Sequence, residues 1–134
     1  MSFSADLSRF EDKVKNRLLV VPRKVALEVL RRVVMRTPVD TGRAKGNWQV
    51  SVGSPTLGET ERKDKTPKGV ADIAESIPTI ESWDAANVAI FIMNNVPYIQ
   101  RLEDGYSDQA SSGMVKLTVA EYEGIVEAIG RAAQ

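Results

Sequence analysis

Val88-Ala89-Ile90-Phe91-Ile92-Met93, followed by Asn95-Val96-Pro97-Tyr98-Ile99-Gln100-Arg101-Leu102-Glu103-Asp104-Gly105, is the stretch on which the fold turns. An apolar run this short, with turn residues behind it, predicts a strand buried on both faces and therefore central in its sheet. Pro97 to Glu103 then has the length of a short helix, and Gly105 sits where a left-handed residue would stop it. Upstream, Asn47 to Val52 reads as a second strand. Trp48, Val50 and Val52 fall on one face at period two, with Asn47, Gln49 and Ser51 on the other. Gly53 and Pro55 end it.

Helices account for the rest. Phe3, Leu7, Phe10, Val14, Leu18, Val21, Val25, Val29 and Val33 step by three or four through the first 36 residues, a continuous apolar stripe. Ser4 and Asp6 are available as caps, and Pro22 removes one backbone bond, which predicts a kink. The residue before Pro38 is pushed out of the helical region, so Thr37 should end the helix. Val70, Ile73, Ile77, Ile80 and Trp83 resume helical spacing, interrupted by Pro78. Thr118 and Glu121 have the spacing of a capping box for a last helix, with Tyr122, Ile125, Val126 and Ile129 as its buried stripe. Residues 54–69 hold one large apolar residue, Leu57, so the stretch is expected to be a mobile loop or arm. Its length suits a functional segment better than an idle connector. The predicted fold is α+β, one domain over 1–134, in which a small antiparallel sheet is packed by a long N-terminal and a C-terminal helix.

Composition narrows the chemistry. The 134 residues are enough for one core, and 43% apolar with 27% charged is ordinary for a globular chain. No apolar run reaches the roughly 18 residues of a membrane span, and the amino terminus lacks the pattern of a signal peptide. The absence of Cys suits a reducing cytoplasm, and the absence of His removes the commonest metal ligand and general base. No cofactor, metal or catalytic residue is expected. The net charge of zero conceals a division: residues 1–70 hold 15 Lys and Arg against 8 Asp and Glu, residues 71–134 hold 3 against 10. Such a +7/−7 split is either a set of solvated faces or the two complementary sides of a subunit that repeats in a ring.

Three local patterns suggest other chemistry and fail on physical grounds. Asp40-Thr41-Gly42 is the tripeptide of aspartic proteases, and Ile129-Gly130-Arg131 echoes their second motif. In those enzymes the Asp leaves an apolar strand and shares a proton across a dimer axis. Here it follows a basic helix and a proline, and too little chain follows Gly130 to support the second motif. A turn acceptor at Asp40, with positive φ at Gly42, is the better reading. Glu103, Asp104 and Asp108 offer too few oxygens for a calcium loop. Gly105 to Gly113 lacks the Lys and the following helix of a phosphate loop. The basic first helix has little aromatic interleaving, and the acidic half opposes general duplex binding, so at most weak contact with DNA is expected.

Taken in order, Thr37, Pro38, Val39, Asp40, Thr41, Gly42 and Trp48, then Asn95, Pro97, Tyr98, Leu102, Glu103, Gly105, Ser107, Gln109, Gly113, Met114 and Val115, resemble the tail-completion family of tailed bacteriophages (neck or minor tail components). The likeness covers residues 20 to 125, except the polar middle. It implies a structural virion protein, made in the host cytoplasm and placed at the head–tail junction. Copies would form a homo-oligomeric ring joining the head connector to the tail tube or tail terminator. The motif positions would set shape, fixing how the helices lie and how the 54–69 loop is presented. Arg23, Lys24, Arg31, Arg32, Arg62, Lys63, Lys65 and Tyr106 are the expected interface residues. A tail-terminator ring is the nearest alternative, and a small nucleic-acid-binding regulator is an alternative from another class.

Overall fold

A 34-residue helix, α1 (Phe3–Arg36), carries the rest of the molecule on its carboxyl-terminal half. The computed structural model describes residues 3–39, 41–84, 86, 89–105, 107–110 and 112–133. Pro22 lies within α1, and the chain stays helical on both sides of it, one helix with no separation into two. The carbonyl left without a donor belongs to Leu18, an exposed residue that water can reach. Among the described residues no helix is long and apolar enough to cross a membrane.

The face of α1 that meets the core differs from the stripe read in the sequence. Ala26, Leu30, Val33 and Val34 pack with Trp48 and Ile80, with Leu27, Val50, Ile73, Ile90 and Ile92 around them. At about 100° per residue, this set lies roughly a third of a turn from Val21, Val25 and Val29. The carboxyl half of α1 is therefore apolar on two faces, and its amino half on one. Leu7, Phe10, Val14 and Leu18 continue the predicted stripe but are 46%, 64%, 39% and 60% exposed. Of the buried residues of α1, the sequence reading named Val25 and Val33 and missed Ala26, Leu30 and Val34. A step of three or four can be followed down either face of a helix that is apolar on both.

Two strands, β1 (Trp48–Val52) and β2 (Ile90–Asn94), pair antiparallel with Trp48 opposite Asn94 and Val52 opposite Ile90. Val88, expected in the second strand, lies outside the described residues. Among the described residues the sheet has two strands, so β2 is not central, contrary to expectation. Its second apolar face has another cause: Ile90 and Ile92 face the core, while Met93 meets Thr56, whose N–H and hydroxyl approach the thioether sulfur.

Helix α2 (Val70–Glu81) runs through Pro78 and buries Ile80. Helix α3 (Ile99–Glu103) is followed by Gly105 at φ 89°, as the sequence predicts. Helices α4 (Val115–Ala120) and α5 (Tyr122–Ala132) close the chain. The capping box does not form. Thr118 lies inside α4 and donates to the Met114 carbonyl, while Glu121 pairs with Arg36 at 2.6 Å and Arg32 at 3.2 Å. Two arginines outweigh one backbone N–H for that carboxylate. Of the expected α5 stripe, Ile125 is buried, Val126 and Ile129 are half-buried, and Tyr122 is half exposed.

Residues 54–66 are irregular, as expected, and Pro67–Gly69 form a 3-10 turn leading into α2; the segment is nonetheless tied at several points by polar groups. Asn95 Nδ2 donates to the carbonyls of Thr56 and Gly58 at 3.1 and 2.9 Å. Asn47 Oδ1 accepts from Thr60 N at 2.7 Å. Arg62 donates to the carbonyls of Gly46 and Trp48 and pairs with Asp72 and Glu75. Leu57, at 93% exposed, marks the free tip. Counting apolar residues missed these ties because none of them is apolar.

Candidate functional site

The two sequence segments that carry the family resemblance meet in space. Beyond the end of α1, the Val39 N–H donates to Gln109 Oε1 at 3.0 Å, and Gln109 Nε2 returns to the Val39 carbonyl at 3.5 Å. Between them opens a cleft of about 510 Å³ lined by Pro38, Val39, Thr41, Gly42, Arg43, Ala44, Lys63, Tyr98, Leu102, Ser107 and Gln109. Eight of these eleven residues are resemblance positions. Asp40 and Tyr106, expected as a turn acceptor and an interface residue, lie outside the described residues.

The remaining motif positions act as supports for the cleft. Glu103, read from sequence as a solvated acidic turn, accepts backbone N–H groups from Met114, Val115 and Lys116 at 2.8–3.0 Å. It caps α4 from outside the helix, satisfying donors that have no partner within it. Burial pushes its carboxyl up, but those three N–H groups and Lys116 outweigh it and hold Glu103 below the ordinary range. Gly113 makes room: a Cβ there would lie 2.7 Å from the Glu103 carbonyl oxygen, at φ +83°. Met114 is wholly buried, while the Val115 side chain is 41% exposed. Asn95 clamps the 54–69 segment, and Pro97 is exposed beside the buried Val96.

The other wall is built by close backbone contact. Gly42, at φ +85°, accepts from Gly46 N at 2.8 Å and Asp64 N at 2.9 Å, and a Cβ on it would lie 2.8 Å from Asp64 N. Asp64 is 1% exposed and accepts from Thr66 N and Asp72 N, both at 2.8 Å, and from the Thr66 hydroxyl. Burial opposes its charge, yet these donors and Lys45 keep it below the usual carboxylate range. Asp72, wholly buried against Arg62, goes the other way. Desolvation raises its carboxyl to about 7, Asp64 and Glu75 add to the rise, and Arg62 only partly offsets it. Neither Asp was singled out from sequence. Asp64-Lys65-Thr66 does carry a legible signal, an Asp bonded to the N–H two residues on; Asp72 carries none.

Two basic side chains, Arg43 and Lys63, line the cleft. The Arg43 guanidinium stands 5.5 Å over the Tyr98 ring and pairs with Glu59 at 2.6 Å. Lys63 is exposed and has no ion pair among the described residues. Its hydroxyls, Thr41 and Ser107, accept from Arg43 N and Gln109 N at 3.2 Å, in local turns. Among the described residues no group of three or more acids is placed to hold a metal.

All four expected interface arginines are engaged within the chain. Arg23 donates to the Trp83 carbonyl, Arg31 and Arg32 to Glu28, and Arg62 as described. The Arg31 hydrogen bond, with Arg32 adding, holds Glu28 below the ordinary carboxylate range despite partial burial. Part of the +7/−7 split is thus spent inside the subunit, where Arg32 and Arg36 meet Glu121 and Arg62 meets Asp72 and Glu75. Lys24, Lys63 and Lys65 remain exposed. No protein-family model, curated protein or solved structure matches this chain.

Proposed function

We propose that the protein is a neck or tail-completion component of a tailed bacteriophage virion, acting by stoichiometric assembly as a ring between the head connector and the tail. One observation carries this reading. The motif positions near residues 37–48 and 95–115 converge on one cleft and its supports, linked by Gln109 to Val39 and by Glu103 to α4. Residues that resemble a family pattern and also build one surface point to the surface as the functional part. The chemistry there is recognition: a cationic, half-polar cleft whose hydroxyls are occupied in turns.

The test is genetic and visual. Phage deprived of this protein should accumulate DNA-filled heads and separate tails of normal length, and purified protein added to the extract should join them. Tails of uncontrolled length would instead indicate a tail terminator. Normal particles without the protein would overturn the reading altogether.

A further inference from the structure

The amino-terminal arm of α1 and a groove on the body both leave apolar surface exposed. The groove, about 420 Å³, is walled by Val21, Val25 and Val29 of α1, by Trp83 and Ile92, and by Tyr122 on α5. Its α1 wall is the same face that continues outward as Leu18, Val14, Phe10 and Leu7. These positions step three, four, four and repeat after eleven residues, close enough to the helical period to keep the face straight along the rod. Every described side chain from 4 to 14 is exposed. A helix face that is apolar beyond the point where the body ends has no role in the subunit's own core.

We propose that the groove receives the amino-terminal arm of a second copy of this chain. The arm does not reach its own groove while α1 is continuous, because Phe10 lies about 17 Å along the axis from Val21. The sizes match. Four exposed apolar side chains form a strip of roughly a few hundred Å², large for an idle patch. In a closed pair both strips and both grooves fall in one interface, which would bury on the order of 1,000 Å², the least a specific interface needs; in a ring the two contacts are divided between two neighbours. Charges match as well. The arm bears Asp6, Glu11 and Asp12 with Arg9 and Lys13; exposed Lys24 lies on the α1 rim, and exposed Glu123 and Glu127 lie on α5. Opposite signs are available on both sides of the strip.

The chain has no Cys, so single cysteines report position cleanly. Phe10→Cys protein mixed with Tyr122→Cys protein should cross-link into a two-chain product under mild oxidation. Phe10→Cys mixed with Leu57→Cys, a fully exposed control, should do so far less. Equal yields in the two mixtures would overturn the proposal, as would a purely intramolecular link in the Phe10→Cys/Tyr122→Cys chain. Phe10→Glu/Leu18→Glu should shift the wild-type assembly to monomer in sedimentation while leaving the far-ultraviolet helical signal unchanged. Assembly equal to wild type in that variant, or a wild-type protein that stays monomeric at every concentration, would refute it. The inference stands apart from the neck reading. A cross-linked closed dimer would uphold it and overturn the ring, whereas a ring without the arm-to-groove link would do the reverse.

Discussion

The indole N–H of Trp48 donates to the Thr37 hydroxyl at 2.7 Å, and that hydroxyl donates in turn to the Val33 carbonyl at 2.6 Å. Both residues are 3% exposed, so the last turn of α1 is fastened to the first residue of β1 inside the core. Thr37→Val keeps the shape but leaves a buried indole donor without an acceptor, which costs about 1–3 kcal/mol. Thr37→Ser keeps the acceptor and should lose far less. Urea unfolding compares them, and equal midpoints would show that the bond contributes nothing.

Glu103 and Gly113 act on one turn. Glu103→Ala removes the acceptor of three N–H groups and should destabilise by about 1–2 kcal/mol. Gly113→Ala places a methyl against the Glu103 carbonyl at a φ suited to glycine and should cost at least about 1 kcal/mol. The double variant should lose less than the two losses added together, because either change already disrupts the cap. Strict additivity in chemical denaturation would separate the two residues.

Stability should peak on the acid side of neutrality. Asp72 binds its proton more tightly folded than unfolded, so its contribution is complete below the unfolded value of 3.8 and is lost as pH rises to about 7. Glu28, Asp64, Glu103 and Glu121 are all lowered, so their contributions are present above the unfolded carboxylate range and fade as pH falls below it. Tm should therefore be highest near about pH 5 and decline toward pH 8. Asp72→Asn should flatten the alkaline decline and leave the acid one in place. Parallel declines above pH 6 would show that another group titrates.

Arg62 holds the 54–69 segment to the body through Gly46, Trp48, Asp72 and Glu75. Arg62→Met should speed tryptic cleavage after Lys63 and Lys65 several-fold, since cleavage follows local opening. Unchanged cleavage rates would mean that Asn47 and Asn95 suffice to hold the segment.

Period and punctuation made the elements legible: β1 lies within one residue of its expected span, and the α3 stop at Gly105 is where it was read. The polar fastenings were not. Asn47, Arg62, Asp64 and Glu103 act on partners 11 or more residues away in at least one contact each, and nothing in their immediate neighbourhood announces that. The same limit explains the misplaced capping box, where Glu121 had two arginines of α1 competing for it. The cleft was half legible. Eight of its eleven lining residues were named as positions that set shape, but only the fold shows Gln109 reaching back to Val39 and Arg43 lying over Tyr98.

The exposed arm of α1 elongates a helix whose other half is already held by the body. A peptide of the arm alone would face the unfavourable first turn, an equilibrium factor of about 10⁻³, and at this length would be mostly unstructured in water. Grown from an existing helix, it has only to propagate. Capture of an arm then requires no folding step after encounter, so the association rate should track diffusion and orientation, with little dependence on how fast helix forms.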